Sequence, residues 1–182
     1  MKMNALGGIL VGAVLTLGCH SAMAASAVEI SRDANASLKK LYASVPAAKA
    51  LGANALAILV FPKVTKAGLG VGGQFGEGAL LQKGNAVGYY NTAAASIGLQ
   101  AGAQQFGYAM FFMNANALAQ LNKAEGFEVG VGPSVVVVDE GMAKTITTTT
   151  VKDDIYAFVF GQKGLMAGIG VQGNKITKIN PK

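Results

Sequence analysis

Six glycines fall within the sixteen residues Lys66–Leu81, KAGLGVGGQFGEGALL, and Gly68–Gly73 has the spacing G-x-G-x-x-G. In a dinucleotide site such glycines bring backbone N–H groups against a pyrophosphate at the start of a helix. That chemistry needs a helix to open behind them. Phe75-Gly76-Glu77-Gly78 is a poor helix, because each interior glycine costs about 1 kcal/mol relative to alanine. Gly168–Gly173 has phosphate-loop spacing, but Asn174 stands where that loop requires lysine. Among the carboxylates, Glu77, the pair Asp139-Glu140 and the pair Asp153-Asp154 are candidates for acid–base work. A hydrolase built on Glu77 would need a second carboxylate to converge with it. Nothing near any of them in the chain supplies a partner, and no calcium-loop spacing surrounds them. They read as solvated or turn residues.

The only cysteine, Cys19, and the only histidine, His20, lie in the first two dozen residues. Those residues read as an export signal. Lys2 gives a positive start, Ala5–Gly18 is apolar and uncharged, and Ala22-Met23-Ala24 is a small-x-small cleavage site. Residues 1–24 are therefore set apart from a single domain at 25–182. Thr16-Leu17-Gly18-Cys19 also resembles a lipobox, in which Cys19 would be acylated. Cleavage after Ala24 is favoured, and lipidation at Cys19 is the alternative. The first route leaves a mature chain without His, Cys or Trp. It removes thiol and imidazole catalysis, disulfides, and His or Cys metal sites. No cofactor and no metal are expected, and the protein reads as a non-enzyme.

The composition is that of a packed domain, with 52% hydrophobic and 13% charged residues. The net charge of +6 becomes +5 once Lys2 is removed. A basic exported chain points to acidic partners, with anionic lipid headgroups favoured over nucleic acid. Ile30, Ala34, Leu38, Leu41 and Val45 lie at helical spacing, which predicts an amphipathic helix over Ala27–Ser44. Arg32, Asp33, Lys39 and Lys40 lie off that stripe. Pro46 is placed to open a second helix through about Asn54.

Ala55–Phe61 reads as a buried strand stopped by Pro62. From Lys66 to Leu81 the residues alternate. Gly68, Gly70, Gly72, Gly76 and Gly78 share one face with Gln74, and Leu69, Val71 and Phe75 share the other. A phosphate loop has no reason to alternate, whereas a strand does. The pattern [Gly/Ser]-x-Gly-x-[Gln/Ser] occurs at Gly70-Val71-Gly72-Gly73-Gln74, Ser96–Gln100, Gly130–Ser134 and Gly168–Gln172. Its spacing is irregular, which argues against a solenoid and for one sheet or partial barrel with a glycine-lined face. The polar groups on that face would be Gln74, Gln100, Gln104, Ser134 and Gln172. Either the helices or a neighbouring sheet pack against it, or it forms a groove for a polar ligand.

Turn and strand signals fill the remainder. Lys83-Gly84-Asn85 predicts a hairpin turn into a strand over Ala86–Asn91. Phe106–Met113, Thr145–Val151 and Ile155–Phe160 read as further strands, and Asp139-Glu140-Gly141 as a turn. Asn114 is placed to cap a helix to about Lys123. The expected fold class is α+β, with N-terminal helices packed on a glycine-rich, mainly antiparallel sheet or partial β-barrel.

Three blocks in order resemble the SYLF-domain family. They are ALAILVFPKVTKAGLGVGGQFGEGALL (Ala55–Leu81), SIGLQAGAQ (Ser96–Gln104) and IYAFVFGQKGLMAGIGVQG (Ile155–Gly173). The resemblance implies a non-enzymatic phospholipid-binding protein, with phosphoinositides as the ligands of eukaryotic members. It also implies a contribution from a basic N-terminal helix in some members. Lys63 and Lys66 lie in the first block, and Arg32, Lys39 and Lys40 in the candidate helix; these five are the expected lipid-binding residues. Actin binding, a property of eukaryotic members, is not carried over to an exported chain. The reading is of a protein that binds anionic phospholipid at the cell envelope, periplasmic or peripheral on the outer membrane. The alternative is a structural envelope protein that docks a protein partner through its glycine-rich sheet.

Overall fold

The computed structural model describes residues 25–123, 125–146, 151–161, 164–165 and 171–182, with the backbone alone at 69–70, 96–101 and 164. The expected export signal with Cys19, the Gly168–Gly170 part of the fourth glycine repeat, and the side chain of Gln100 lie outside the described residues. Two helices come first, α1 (Ala27–Ser44) and α2 (Pro46–Asn54). Ser26 caps α1 through a capping box. Its hydroxyl accepts from the Glu29 N–H, and the Glu29 carboxylate accepts from the Ser26 N–H. The predicted stripe Ile30, Ala34, Leu38 and Leu41 is buried, and Val45 continues it.

Two long strands follow, β1 (Ala57–Gln82) and β2 (Asn85–Phe112), joined by the two-residue turn Lys83-Gly84. Both turn residues have positive φ, 50° and 83°, as a type I′ hairpin turn requires. Segments that read as separate strands, Ala86–Asn91, Ser96–Gln104 and Phe106–Met113, are thus one strand up to Phe112. Nor does Pro62 stop β1. Phe61 pairs with Tyr108 and Val64 with Phe106, so β1 carries one extra residue there, a bulge. Proline is tolerated at a bulge because the ladder asks nothing of its missing N–H.

That bulge decides which face of β1 turns inward. Ala57, Leu59 and Phe61 are interior at odd positions; after the bulge Val64, Gln74 and Leu80 are interior at even ones. The glycine stripe is even-numbered, so it too faces in. There it meets the first half of its own strand. A β-carbon on Gly78 would run into the Val60 carbonyl and the Phe61 ring, and one on Gly76 would lie 2.8 Å from the Lys63 carbonyl oxygen. One on Gly68 would strike Gly72. The contacts pair residues placed symmetrically about Gly70, so the hairpin is folded over there. Opposite Gly70, β2 carries two extra residues between Gly98 and Gly102.

The rest of the chain borders β2. After α3 (Ala115–Ala119), capped by the Asn114 side chain, and a 3₁₀ turn (Gln120–Asn122), come β3 (Phe127–Glu128) and β4 (Val135–Val138). Then follow α4 (Glu140–Ala143), β5 (Ile155–Gly161), β6 (Gly164–Leu165) and β7 (Lys175–Ile179). β5 pairs with β2 at Gly107–Phe112 and β7 pairs with it at Tyr89–Ala93, both antiparallel. Among the described residues these seven strands form one curled, mostly antiparallel sheet, a half-barrel, and only β4–β5 is parallel. The α+β expectation is met.

Three local readings are corrected. Gly130 and Gly132 have φ of 98° and 102°, so Gly130–Ser134 is a turn and not a glycine strand. Asp139 caps the short helix α4, where a plain turn was expected. Thr145 lies in a turn and Ile146 and Val151 lie outside any strand, so the predicted strand does not reach its described ends; 147–150 lie outside the described residues.

The sheet buries apolar side chains on both faces. The inner cluster includes Phe61, Tyr108, Phe112 and Ile176, and the outer one joins the α1 stripe to Val60, Ala79, Phe111 and Phe158. Each such side chain contributes about 1.5–3 kcal/mol when fully buried.

Candidate functional site

The second half of α1 lies across from the Pro62 bulge. Ser37, Lys40, Leu41 and Ser44 stand on one helix face, as their spacing of three and four dictates. Opposite them are Pro62 and Lys63, then Gln105–Gly107 of β2 and Phe160–Gly161 of β5. Together they line an open groove of about 690 Å³. The bulge positions Lys63 on the outer face of β1, where it is exposed. A β-carbon on Gly107 would strike the Phe160 ring, so glycine there lets Phe160 lie across β2.

The groove has an apolar floor and a cationic rim. Leu41 is buried and Phe160 is half-buried, whereas Lys40 and Lys63 are exposed; Phe106 borders the groove but packs into the inner cluster. Among the described residues no carboxylate forms an ion pair with either lysine. The Ser44 hydroxyl is turned back to the Lys40 carbonyl at 3.0 Å, which leaves the two ammonium groups as the charged chemistry of the groove. Two cations over an apolar floor suit an amphiphilic anion, such as a phosphate ester with a hydrocarbon tail.

The other expected lipid contacts do not gather there. Arg32 is exposed, and its Nε donates to Asp33 Oδ1 at 2.9 Å, a bond that raises the guanidinium pKa further. Lys39 is exposed on α1 outside the groove, and Lys66 is half-buried on the other face of β1, paired with Gln104.

The polar groups assigned to the glycine face do not converge either. Gln74 is buried, and its amide donates to Asn174 Oδ1. The Asn174 amide approaches the Tyr108 hydroxyl, which donates to Thr92 Oγ1 at 2.6 Å. This chain of four sits inside the half-barrel, where burial pushes the Tyr108 pKa far up despite its two hydrogen bonds. Gln104 and Gln172 are exposed, and Ser134 binds Asp154. Along β1 the glycine face is a packing surface, where Gly76 and Gly78 lie against the first half of the same strand.

The carboxylates take structural posts. Glu77 Oε2 accepts from the Ala25 N–H at 3.3 Å. Asp139 is a helix cap, and Asp153 accepts from the Tyr156 hydroxyl at 3.3 Å. Asp154 accepts from the Ser134 N–H at 2.9 Å and from Asn114 Nδ2 at 2.6 Å. A second depression of about 680 Å³ lies between the α1–α2 junction and α4, with Glu140 and Lys144 of opposite sign on its wall. Gln105, Gly107 and Phe160 had no distinctive signal in the sequence, because only the pairing of β2 with β5 brings them beside Lys63.

The G-x-G-x-x-G glycines sit in mid-strand, and no helix opens behind them. The class these features define is a half-barrel binding module, strapped by an N-terminal helix and grooved at a basic edge. Residues 93–181 match the family model described as Ysc84, Las17-binding protein actin regulator, a match consistent with a SYLF-domain family member. The match runs from the middle of β2 to the end of β7, so the glycine-rich block of β1 lies outside it. The description is of a binding family and not of an enzyme family. No curated protein matches the chain.

Proposed function

We propose that the protein binds anionic phospholipid at the membrane of the cell envelope, without catalysis. The observation that carries this reading is the meeting of Lys40 and Lys63, from α1 and from the β1 bulge, over one apolar-floored groove. The family match supports a binding role, with lipid and actin as the partners known at family level. Lipid fits the net charge of +5 that remains once Lys2 is removed, and the two lysines, which have no ion-pair partner among the described residues. It also fits an exported chain, which actin does not. Protein docking through the glycine-rich sheet is the alternative; along β1 that face is taken up at Gly76 and Gly78 by the first half of the same strand.

Near an anionic bilayer each lysine contributes about 1 kcal/mol. Vesicles of phosphatidylglycerol and phosphatidylcholine should therefore pellet the protein, and pure phosphatidylcholine vesicles should not. Raising the salt should release it. Replacing both lysines, Lys40→Ala with Lys63→Ala, should weaken binding about thirtyfold. Equal binding to neutral vesicles, or binding indifferent to salt, would overturn the reading. Export with cleavage after Ala24 belongs to the same proposal. The mass of the mature N-terminus tests it, and an acylated Cys19 would replace a free Ala25 if the lipoprotein route holds.

A further inference from the structure

Around its fold the β1–β2 hairpin carries no charge between Lys66 and Glu77 or along β2. On its outer face Val71 is 73% and Phe75 51% exposed, with Ala67, Ala93, Ala95 and Ala103 exposed beside them. The pairings Gly73–Ala95 and Phe75–Ala93 put Phe75, Ala93 and Ala95 with Val71 on the outer surface beyond the fold at Gly70, and Ala67–Ala103 lies on the outer surface before it. An exposed valine and phenylalanine on one charge-free sheet face, in a chain this basic, call for a covering partner.

We propose that this bend is the part of the molecule that enters the bilayer, with Val71 and Phe75 reaching below the headgroups and Lys63 at their level. The inference rests on the anionic-membrane reading above and assigns the surface that inserts. The charge pattern selects a bilayer over a second copy of the chain. Lys63 stands on the same outer face two pleats before Ala67, and Lys66 is one residue from it. Anionic headgroups would neutralise Lys63 while the apolar tip meets hydrocarbon. Two bends packed together would leave Lys63 short of counter-charge, because Glu77, one pleat from Phe75, already accepts from the Ala25 N–H. The surface also differs from an amphipathic-helix anchor, since the apolar stripe of α1 is already buried against the sheet.

The chain has no tryptophan, so Phe75→Trp supplies a single fluorophore at the tip. On vesicles of equal phosphatidylglycerol and phosphatidylcholine its emission should shift to the blue, and phosphatidylcholine brominated in its acyl chains should quench it. The doubly substituted Val71→Ser, Phe75→Ser protein, altered only at exposed positions, should keep the wild-type melting temperature and bind about tenfold or more weakly. Wild-type protein that pellets with these vesicles while the Phe75→Trp emission stays unshifted and unquenched would overturn the inference and leave the lipid reading standing. Wild-type protein that fails to pellet overturns both. A lipid-free dimer that Phe75→Ser abolishes would assign the bend to a second copy instead.

Discussion

A β-carbon at Gly78 has nowhere to go, because the Val60 carbonyl and the Phe61 ring already occupy its place. The obstruction is backbone, which cannot swing aside as a flexible side chain would. Gly78→Ala should therefore cost at least about 1–3 kcal/mol, the usual penalty of overpacking. Gly73, five residues earlier on the opposite face, is the control. Its nearest neighbour would be the Ala94 carbonyl oxygen at 3.6 Å, an ordinary contact. Gly73→Ala should leave stability unchanged or raise it by up to about 1 kcal/mol, since glycine weakens a strand. Urea titration of the two purified variants separates a glycine kept for space from one that is not. The same distinction applies to the glutamines. Gln74 is held inside by Asn174, while Gln104, assigned to the same face, is exposed.

Among the elements, the turn between Asp153 and Ile155 holds more than its own strand. The Asp154 carboxylate accepts from Ser134 ahead of β4 and from Asn114 ahead of α3, and the Asp154 N–H donates to Ser134 Oγ at 2.9 Å. These bonds, the Ser134 backbone N–H foremost, hold its pKa below the ordinary 3.8. A carboxyl depressed in the folded state contributes its stabilisation in full above its unfolded pKa and loses it as the pH falls through the lower folded value. Acid should therefore destabilise the protein from about pH 4 downward. In Asp154→Asn that part of the acid limb should be missing, so the slope of stability against pH below 4 should be shallower than in wild type. Melting temperatures measured from pH 6 to pH 2 would show it, and identical slopes would remove Asp154 from the account. Its partner Ser134 was read from the sequence as a glycine-face group. Its role comes from a turn that positive φ at Gly130 and Gly132 imposes.

At the scale of the whole molecule, α1 is a strap across a hairpin folded in two. Its start touches the far half, through Ala25 to Glu77 and through Ser31 Oγ to Tyr89 Oη at 2.9 Å. Its end reaches the near half at Pro62 and Lys63. If processing occurs after Ala24, the Ala25 nitrogen becomes an ammonium group 3.3 Å from the Glu77 carboxylate, and a hydrogen bond becomes an ion pair. Glu77→Gln should then destabilise a chain that starts at Ala25 more than one that keeps residues before it. The difference should stay below about 1 kcal/mol, as for a partly exposed pair. Thermal melts of the four proteins form a double-mutant cycle, and a zero coupling energy would break the link between processing and the strap.

The boundaries of α1 and α2, the hairpin turn and the alternation of the glycine strand were legible in the sequence. Each depends on neighbours a few residues apart, through periodicity and turn geometry. The sequence likewise determined that a mature chain starting at Ala25 would have no thiol or imidazole to work with. What the glycine stripe faces was decided only in three dimensions. The answer depends on one extra residue at Pro62, which moves the stripe to the inside, and on a fold about Gly70 that brings residues 60 and 78 together. Tertiary structure likewise brought Lys40 to Lys63 and left Arg32, Lys39 and Lys66 apart, because β-sheet curvature, which no local pattern records, sets which distant residues share a groove.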